Sequence, residues 1–240
     1  MKKGLFISVE GPDGSGKTSA IPVIAAELRA QGYSVCETRE PGGTAVADQI
    51  REILIHEDPS VECIDPVVQT TLFIAARLQH LKRVIIPNVR EGRIVLCDRY
   101  IDSTMVYQGH GKMMNYFIQQ LHTLPAYAPA AVRPDYTFFF DASEKVCSER
   151  QIARGRNALD VIHSKMNVSE VFRNHFTFVG KRIGNDRIKT INADRDQADV
   201  SRQIARAVAE IQGHQFSSLT APGQYGFVTQ TTDVDISTHS

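Results

Sequence analysis

Eight consecutive residues, Gly11-Pro12-Asp13-Gly14-Ser15-Gly16-Lys17-Thr18, match the pattern GxxxxGK[ST] in full. Glycines at these places let main-chain N–H groups turn inward around a polyphosphate, and a helix starting there adds positive potential. Lys17 has the length and charge to reach the outer phosphates, and the Thr18 hydroxyl suits Mg²⁺. The pattern is specific only between a strand and a helix. Here an apolar run, 5–9, precedes it and a helical pattern, 17–30, follows. The whole loop from Gly11 to Thr18 is therefore a candidate ATP site. Pro22, early in the following helix, removes an N–H and crowds the Thr18 carbonyl.

A second set of polar residues follows other apolar runs. Arg39-Glu40-Pro41-Gly42-Gly43-Thr44 is one group. Asp98-Arg99-Tyr100 is another, with Ser103, Thr104 and Tyr107-Gln108-Gly109 close behind. An arginine fork binds phosphate bidentately and keeps its charge at all working pH values. An aspartate at the end of an apolar strand, facing the phosphate loop, fits the metal side. A third stretch, 149–160, carries Arg150, Arg154 and Arg156. Charge clusters are mostly solvated surface, so this one gains meaning only from its neighbours.

Elements that bring these groups together can be read from hydrophobic patterning. Apolar segments 5–9, 33–38, 93–97, 135–140 and 187–192 predict strands. The third and fourth are continuous runs, as expected where both faces are covered. Helical patterns fall at 17–30, 45–55, 66–89, 142–154, 168–183 and 197–211, with Asp65 placed to cap the third and Pro66 suited to its first turn. Strand–helix alternation predicts an α/β domain on a mostly parallel sheet. Ligands of such sheets bind beyond the carboxyl ends of the strands, where the phosphate loop and the Arg39 and Asp98 groups lie.

Composition narrows the field. The 240 residues include 27 Lys+Arg against 27 Asp+Glu, 42% apolar and 22% charged residues. A net charge of zero gives no general reason to expect nucleic acid or an anionic membrane as partner. No run approaches the roughly 18 apolar residues of a membrane span. The start, Met1-Lys2-Lys3, leads directly into strand and loop and does not read as a signal peptide. Cys36, Cys63, Cys97 and Cys147 lack CxxC spacing, so reduced thiols in a cytoplasmic protein are expected and no cysteine metal site. His110 reads as a loop residue. Residues 213–240 contain no Lys or Arg and only two acids, Asp233 and Asp235, and read as a polar extension outside a domain at 1–212.

Taken in order, these motifs resemble the thymidylate kinase family: Glu10 to Thr18, Thr38 to Thr44, Leu72-Phe73-Ile74-Ala75-Ala76-Arg77, Asp98-Arg99-Tyr100 and Tyr107-Gln108-Gly109. The resemblance runs from about residue 4 to about 212. It implies a P-loop NTPase-type three-layer domain with a five-stranded parallel sheet flanked by helices. It also implies transfer of the ATP γ-phosphoryl group to dTMP with Mg²⁺, and a homodimer formed through helices. By resemblance Phe73 stacks on thymine and Arg77, one helical turn on, bonds its carbonyl edge. Thr104 takes the place that bonds N3. Arg99 grips the acceptor phosphate, with Arg39, Ser103 and Gln108 nearby. Tyr107 crowds the ribose 2′ position, and Asp13 approaches the sugar 3′-hydroxyl and phosphate. Thr18 and Asp98 form the metal side.

Some family members place a catalytic arginine where this chain has Gly14. Others, of the bacterial type, supply it from a lid, here about 150–165, which makes Arg154 and Arg156 the candidates beside Lys17 and Arg99. The segment Val161-Ile162-His163 departs from the usual lid ending and leaves the choice between those two arginines open. Two rivals remain at this point: a nucleotide kinase of broader acceptor range, including dUMP, and a P-loop ATP switch acting through a binding partner.

Overall fold

In a computed structural model of the chain, the structure describes residues 4–55, 62–109, 133–156, 167–183 and 185–211. The extension at 213–240, His110 and the lid beyond residue 156 lie outside the described residues. Five strands form one all-parallel sheet: β1 (Leu5–Glu10), β2 (Val35–Arg39), β3 (Ile94–Asp98), β4 (Tyr136–Asp141) and β5 (Ile188–Asn192). Their spatial order is β2-β3-β1-β4-β5. Register pairs Val9 with Asp98 and with Phe138, while Arg39 pairs with Asp98. The carboxyl ends of β1, β2 and β3 therefore finish side by side, which is what carries the three polar groups to one edge.

Helices cover both faces. They are α1 (Lys17–Ala30), α2 (Ala45–Ile55), α3 (Pro66–His80), α4 (Ile86–Arg90), α5 (Ile101–Tyr107), α6 (Glu144–Ala153), α7 (Val168–Ile183) and α8 (Gln197–Ile211). Alternation along β1 divides the core. Ile7 and Val9 pack with Ile24, Leu28, Phe138, Ile204 and Val208 beneath α1 and α8. Phe6 points to the other layer, among Leu81, Ile85, Val95 and Tyr100. A third cluster, Val106, Phe139, Phe172 and Phe176, fastens α5 and α7 to β4. Each such side chain contributes about 1.5–3 kcal/mol when fully buried.

The helix expected at 66–89 is interrupted. Asp65 caps α3 by accepting from the Val67 and Val68 amides, as its position predicts. After His80 the chain widens into a π-helical turn, Leu81–Ile85, in which the Ile86 amide reaches back to the Leu81 carbonyl. Pro87, next in sequence, has no N–H to donate, and a widened turn is a common way for a helix to absorb such a gap. Pro22, by contrast, sits inside a continuous α1. Strand ends shift by one or two residues from expectation, as hydrogen bonding decides them rather than hydrophobicity.

Candidate active site

The phosphate loop joins β1 to α1 through three glycines with positive φ, Gly11 (144°), Gly14 (86°) and Gly16 (97°). Gly14 is confined further: a Cβ there would lie 2.4 Å from the Cys147 carbonyl oxygen on α6. Gly14→Ala is expected to lower stability by about 1–3 kcal/mol, since neither its φ nor that backbone atom can yield cheaply. Thermal unfolding of the purified variant checks this; an unchanged Tm would contradict the contact.

Lys17 is buried and donates to the Pro12 carbonyl (2.6 Å) and to Ser15 Oγ (3.3 Å). Burial, and then the nearby Arg99 charge, lower its pKa to about 7. Thr18 Oγ1 donates to Asp98 Oδ2 at 2.8 Å, so the two groups expected on the metal side touch. The other oxygen, Asp98 Oδ1, is buried with no hydrogen-bond partner among the described residues. A hydroxyl beside an orphaned carboxylate oxygen fits Mg²⁺, which takes few protein ligands and keeps several waters.

Arg99 is the non-glycine residue with positive φ (68°) among those described. That conformation costs about 1–2 kcal/mol and is held by its surroundings. Its amide donates to the Val9 carbonyl (3.0 Å). Its guanidinium donates to Gly11 O (3.2 Å), to Ser103 Oγ (2.9 Å) and to Asp13 Oδ1 (2.5 Å), and lies over the Tyr107 ring, 5.2 Å from the centroid. Ser103 Oγ in turn donates to Glu10, whose other oxygen accepts from the Tyr100 amide (2.7 Å). Burial, and then the Asp102 charge, push the Glu10 carboxyl up to about 7. Glu10 thus ties down the turn that bears Arg99, a role that no spacing in the sequence announces. Burial pushes the Tyr107 hydroxyl up to about 12. Gln108 follows α5, and its amide donates to the Thr104 carbonyl (2.9 Å), which makes it a helix terminator in this structure.

Arg77 is almost fully buried. Its Nε donates to Glu40 Oε2 (2.8 Å), its Nη2 donates to Thr104 Oγ1 (2.7 Å), and its carbon head lies 4.9 Å from the Tyr100 ring centroid. Nη1 is buried without a hydrogen-bond partner among the described residues. Burial opposes the guanidinium charge, but Glu40 outweighs it, and the pKa rises above the usual arginine value. Phe73, one turn earlier, is half-buried. The Glu40–Pro41 peptide is cis.

A cleft joins most of these parts. Asp13, Gly14, Gly16, Lys17, Thr18, Arg39, Glu40, Arg51, Asp98, Arg99 and Arg154 line it. Arg39 is half-exposed there and donates to Asp48 (3.1 Å). Arg51 was not singled out from sequence; it donates to the Pro41 carbonyl (3.0 Å) and faces the cleft from α2. Its only sequence signal was position, on a helix directly after the Arg39 loop. Of the lid arginines, Arg154 lines the cleft and donates to Ser19 Oγ (3.4 Å), whereas Arg156 donates to Gln151, whose amide reaches the Asp13 carbonyl (3.0 Å). Arg150 also bridges this end, donating to Ser15 O (3.3 Å) and Ala193 O (2.9 Å).

A phosphate loop on a parallel sheet, facing a cationic cleft at the ends of its central strands, defines a P-loop kinase of the nucleoside monophosphate class. The family profile described as Thymidylate kinase matches residues 9–204, and the chain belongs to that family. Among named relatives, the thymidylate kinase of Shouchella clausii (strain KSM-K16) is 40% identical over 205 residues, covering 83% of this chain and 92% of its own. That of Pelotomaculum thermopropionicum is 36% identical over 209 residues, covering 87% and 94%. A crystal structure of thymidylate kinase from Ehrlichia chaffeensis superposes with a TM-score of 0.61 at 28% identity, over 88% of this chain and 99% of that one.

Proposed function

We propose that this enzyme phosphorylates dTMP to dTDP by in-line transfer of the γ-phosphoryl group of ATP, a step of dTTP biosynthesis. The observation that carries the reading is Arg77: two of its nitrogens are fixed by Glu40 and Thr104, and the third is a buried donor with no partner among the described residues. A base carbonyl satisfies such a donor. Thymine presents one at the position where cytosine presents an amine. Phe73, a turn away on α3, supplies the stacking face, worth about 1–3 kcal/mol per base.

Lys17 and the loop amides from Gly11 to Thr18 hold the ATP phosphates. Thr18 and Asp98 hold Mg²⁺, which supplies charge neutralisation on the transferring phosphates. Arg99 fixes the dTMP phosphate, with Ser103, Asp13, Arg39 and Arg51 around it. Tyr107 closes the sugar end, and Gln108 shapes the loop behind it. Arg154 and Arg156 bring lid charge to the migrating group. The acceptor is already an ionised phosphate, so positioning and electrostatics suffice without a protein nucleophile.

Exposed Val46, Ile53 and Ile55 on α2 and Val67 and Val68 on the neighbouring α3 support a homodimer through these helices. No helix among the described residues is long and apolar enough to cross a membrane. All four cysteines are free, which supports a cytoplasmic location. The segment 213–240 is proposed as an extension of a kinase domain at 1–212, outside the chemistry.

One coupled assay tests the function. Among dTMP, dUMP, dCMP and dGMP, dTMP is expected to be the best acceptor. dUMP should fall about tenfold to a few hundredfold behind, because it lacks one methyl. dCMP should be poorer still, because Arg77 then faces a donor; an unmet buried donor costs about 1–3 kcal/mol. Comparable kcat/KM for dCMP and dTMP would sink the assignment.

Lys17 gives a separate check. In the free enzyme its pKa near 7 leaves it mostly neutral at pH 8.5, and a bound polyphosphate favours its charged form. ATP binding at that pH should therefore take up close to one proton. Calorimetry in two buffers of different ionisation enthalpy measures this, and Lys17→Met should abolish the uptake. Equal heats in both buffers for the wild type would contradict the burial of Lys17.

A further inference from the structure

The buried hydrogen bonds around Arg77 do not stop at Glu40. Glu40 has two carboxylate oxygens, and only Oε2 meets Arg77. Oε1 lies 3.1 Å from Nδ1 of His80, a residue with no exposed surface. The far side of that imidazole, Nε2, lies 2.6 Å from Thr38 Oγ1 at the end of β2. A carboxylate can only accept, so Nδ1 carries the proton. In the neutral ring Nε2 then accepts from the Thr38 hydroxyl. The Glu40 carboxylate fixes the tautomer, and the Thr38 hydroxyl, which can donate as well as accept, follows it.

The ring is also fixed in space. A Cβ on Gly43 would lie 2.7 Å from both Cδ2 and Nε2 of His80 and 2.6 Å from Thr38 Oγ1, and Gly43 has a φ of +82°. The loop that follows Arg39 therefore closes over His80 at a place where only glycine fits. His80 sits three residues after Arg77, on the same face of α3. The chain Thr38–His80–Glu40–Arg77–Thr104 thus runs continuously from β2 through α3 to α5.

We propose that His80 is a positioning residue for acceptor choice: by holding Glu40 from behind, it fixes the Arg77 fork so that Nη1 is presented to the base. This rests on the reading of Arg77 as the group that meets the base carbonyl. His80 has no exposed surface with which to meet a substrate directly. If it turns away, Glu40 can rotate, the Arg77 fork can tilt, and the donor no longer distinguishes a carbonyl from an amine. The phosphate loop, Lys17 and Arg99 are not part of this chain of contacts, so the rate at saturation should survive.

The test compares wild type with His80→Leu, His80→Asn and Thr38→Val, measuring kcat and KM for dTMP and for dCMP at saturating ATP. His80→Leu removes both bonds of the ring. It should raise KM for dTMP and reduce the dTMP-to-dCMP preference in kcat/KM by about tenfold to a hundredfold, since an unpaired buried group costs about 1–3 kcal/mol and 1.4 kcal/mol is tenfold. Its kcat for dTMP should change little. His80→Asn, whose side-chain amide can donate in place of Nδ1, should keep most of the preference. Thr38→Val, at the half-buried end of the chain, should lose part of it, and serves if the buried leucine variant does not fold. A full preference retained in both His80→Leu and Thr38→Val, or an equal loss in the leucine and asparagine variants, overturns the inference. A wild type that consumes ATP independently of dTMP, or accepts dCMP as readily, overturns the functional reading before the variants are compared.

Discussion

Lys17→Ala and Arg99→Ala should each lower the turnover of dTMP by about a thousandfold or more while leaving a folded protein. The size follows from the chemistry: phosphoryl transfer in such folds depends on fixed positive charge at the migrating group, and a single well-placed cation there can be worth about 10³–10⁵ in rate. The two variants should differ in how they fail. On the proposed reading Lys17 meets the donor phosphates, so its loss should fall mainly on kcat and on ATP. On the same reading Arg99 meets the acceptor phosphate, so its loss should also raise KM for dTMP. Stability separates them as well. Between pH 7 and 10.5 the unfolded chain holds a proton that native Lys17 sheds, so this lysine makes the native state less stable as pH falls through that window. Removing it should leave the Tm at neutral pH unchanged or higher. Arg99 sits at a left-handed φ and ties Gly11, Asp13 and Ser103 together; alanine there keeps the backbone strain and loses three hydrogen bonds, so this variant should melt lower than the wild type. Near-normal activity in either purified variant would refute its role.

The lid arginines give the second large effect. Arg154→Ala should reduce kcat by about 10²–10³ with little change in KM for dTMP, the mark of an interaction made mainly in the transition state. Arg154 already lines the cleft beside Lys17 and Thr18. Arg156→Ala should have the smaller effect, because its guanidinium is engaged by Gln151 and acts chiefly on Asp13, whose carboxyl is pushed up by burial but pulled lower overall by Arg99, Lys17 and Arg156. Single-turnover rates with pre-bound ATP separate chemistry from product release. Wild-type kcat in both variants and in the double variant would place the catalytic arginine elsewhere.

The sequence spelled out the elements and the first contacts of the cleft, and it did so for physical reasons. Apolar runs fix strands whose two faces are both buried, and the phosphate loop needs a particular residue at almost every position. Arg77 and Thr104 are 27 residues apart, yet each was legible by family resemblance, and the structure brings them to 2.7 Å. What lay hidden were contacts that carry no local pattern. Glu10 ends an apolar strand and could have been an ordinary polar terminus. His80 closes an amphipathic helix and could have been core or surface. Arg51 is one arginine among many on helices. The left-handed backbone of Arg99 and the widened turn at Leu81–Ile85 are likewise products of tertiary packing. Propensity sees a residue and its near neighbours; these positions are decided by strands far away in the chain.

The contact between Gly14 and the Cys147 carbonyl also bears on how such an enzyme can diverge. On the proposed reading, in which the lid supplies the catalytic arginine, one substitution at Gly14 would not relocate it to the phosphate loop, because a Cβ at position 14 would lie 2.4 Å from the Cys147 carbonyl oxygen of α6. The helix that leads into the lid would have to shift first, and the lid would lose its aim while the loop had yet to gain its own cation. On that reading an inactive valley, rather than a slope, separates the two placements. Lineages of the two kinds should therefore stay distinct over long descent, and a compound wedged between the loop and the start of α6 would meet a floor in one kind that the other does not possess.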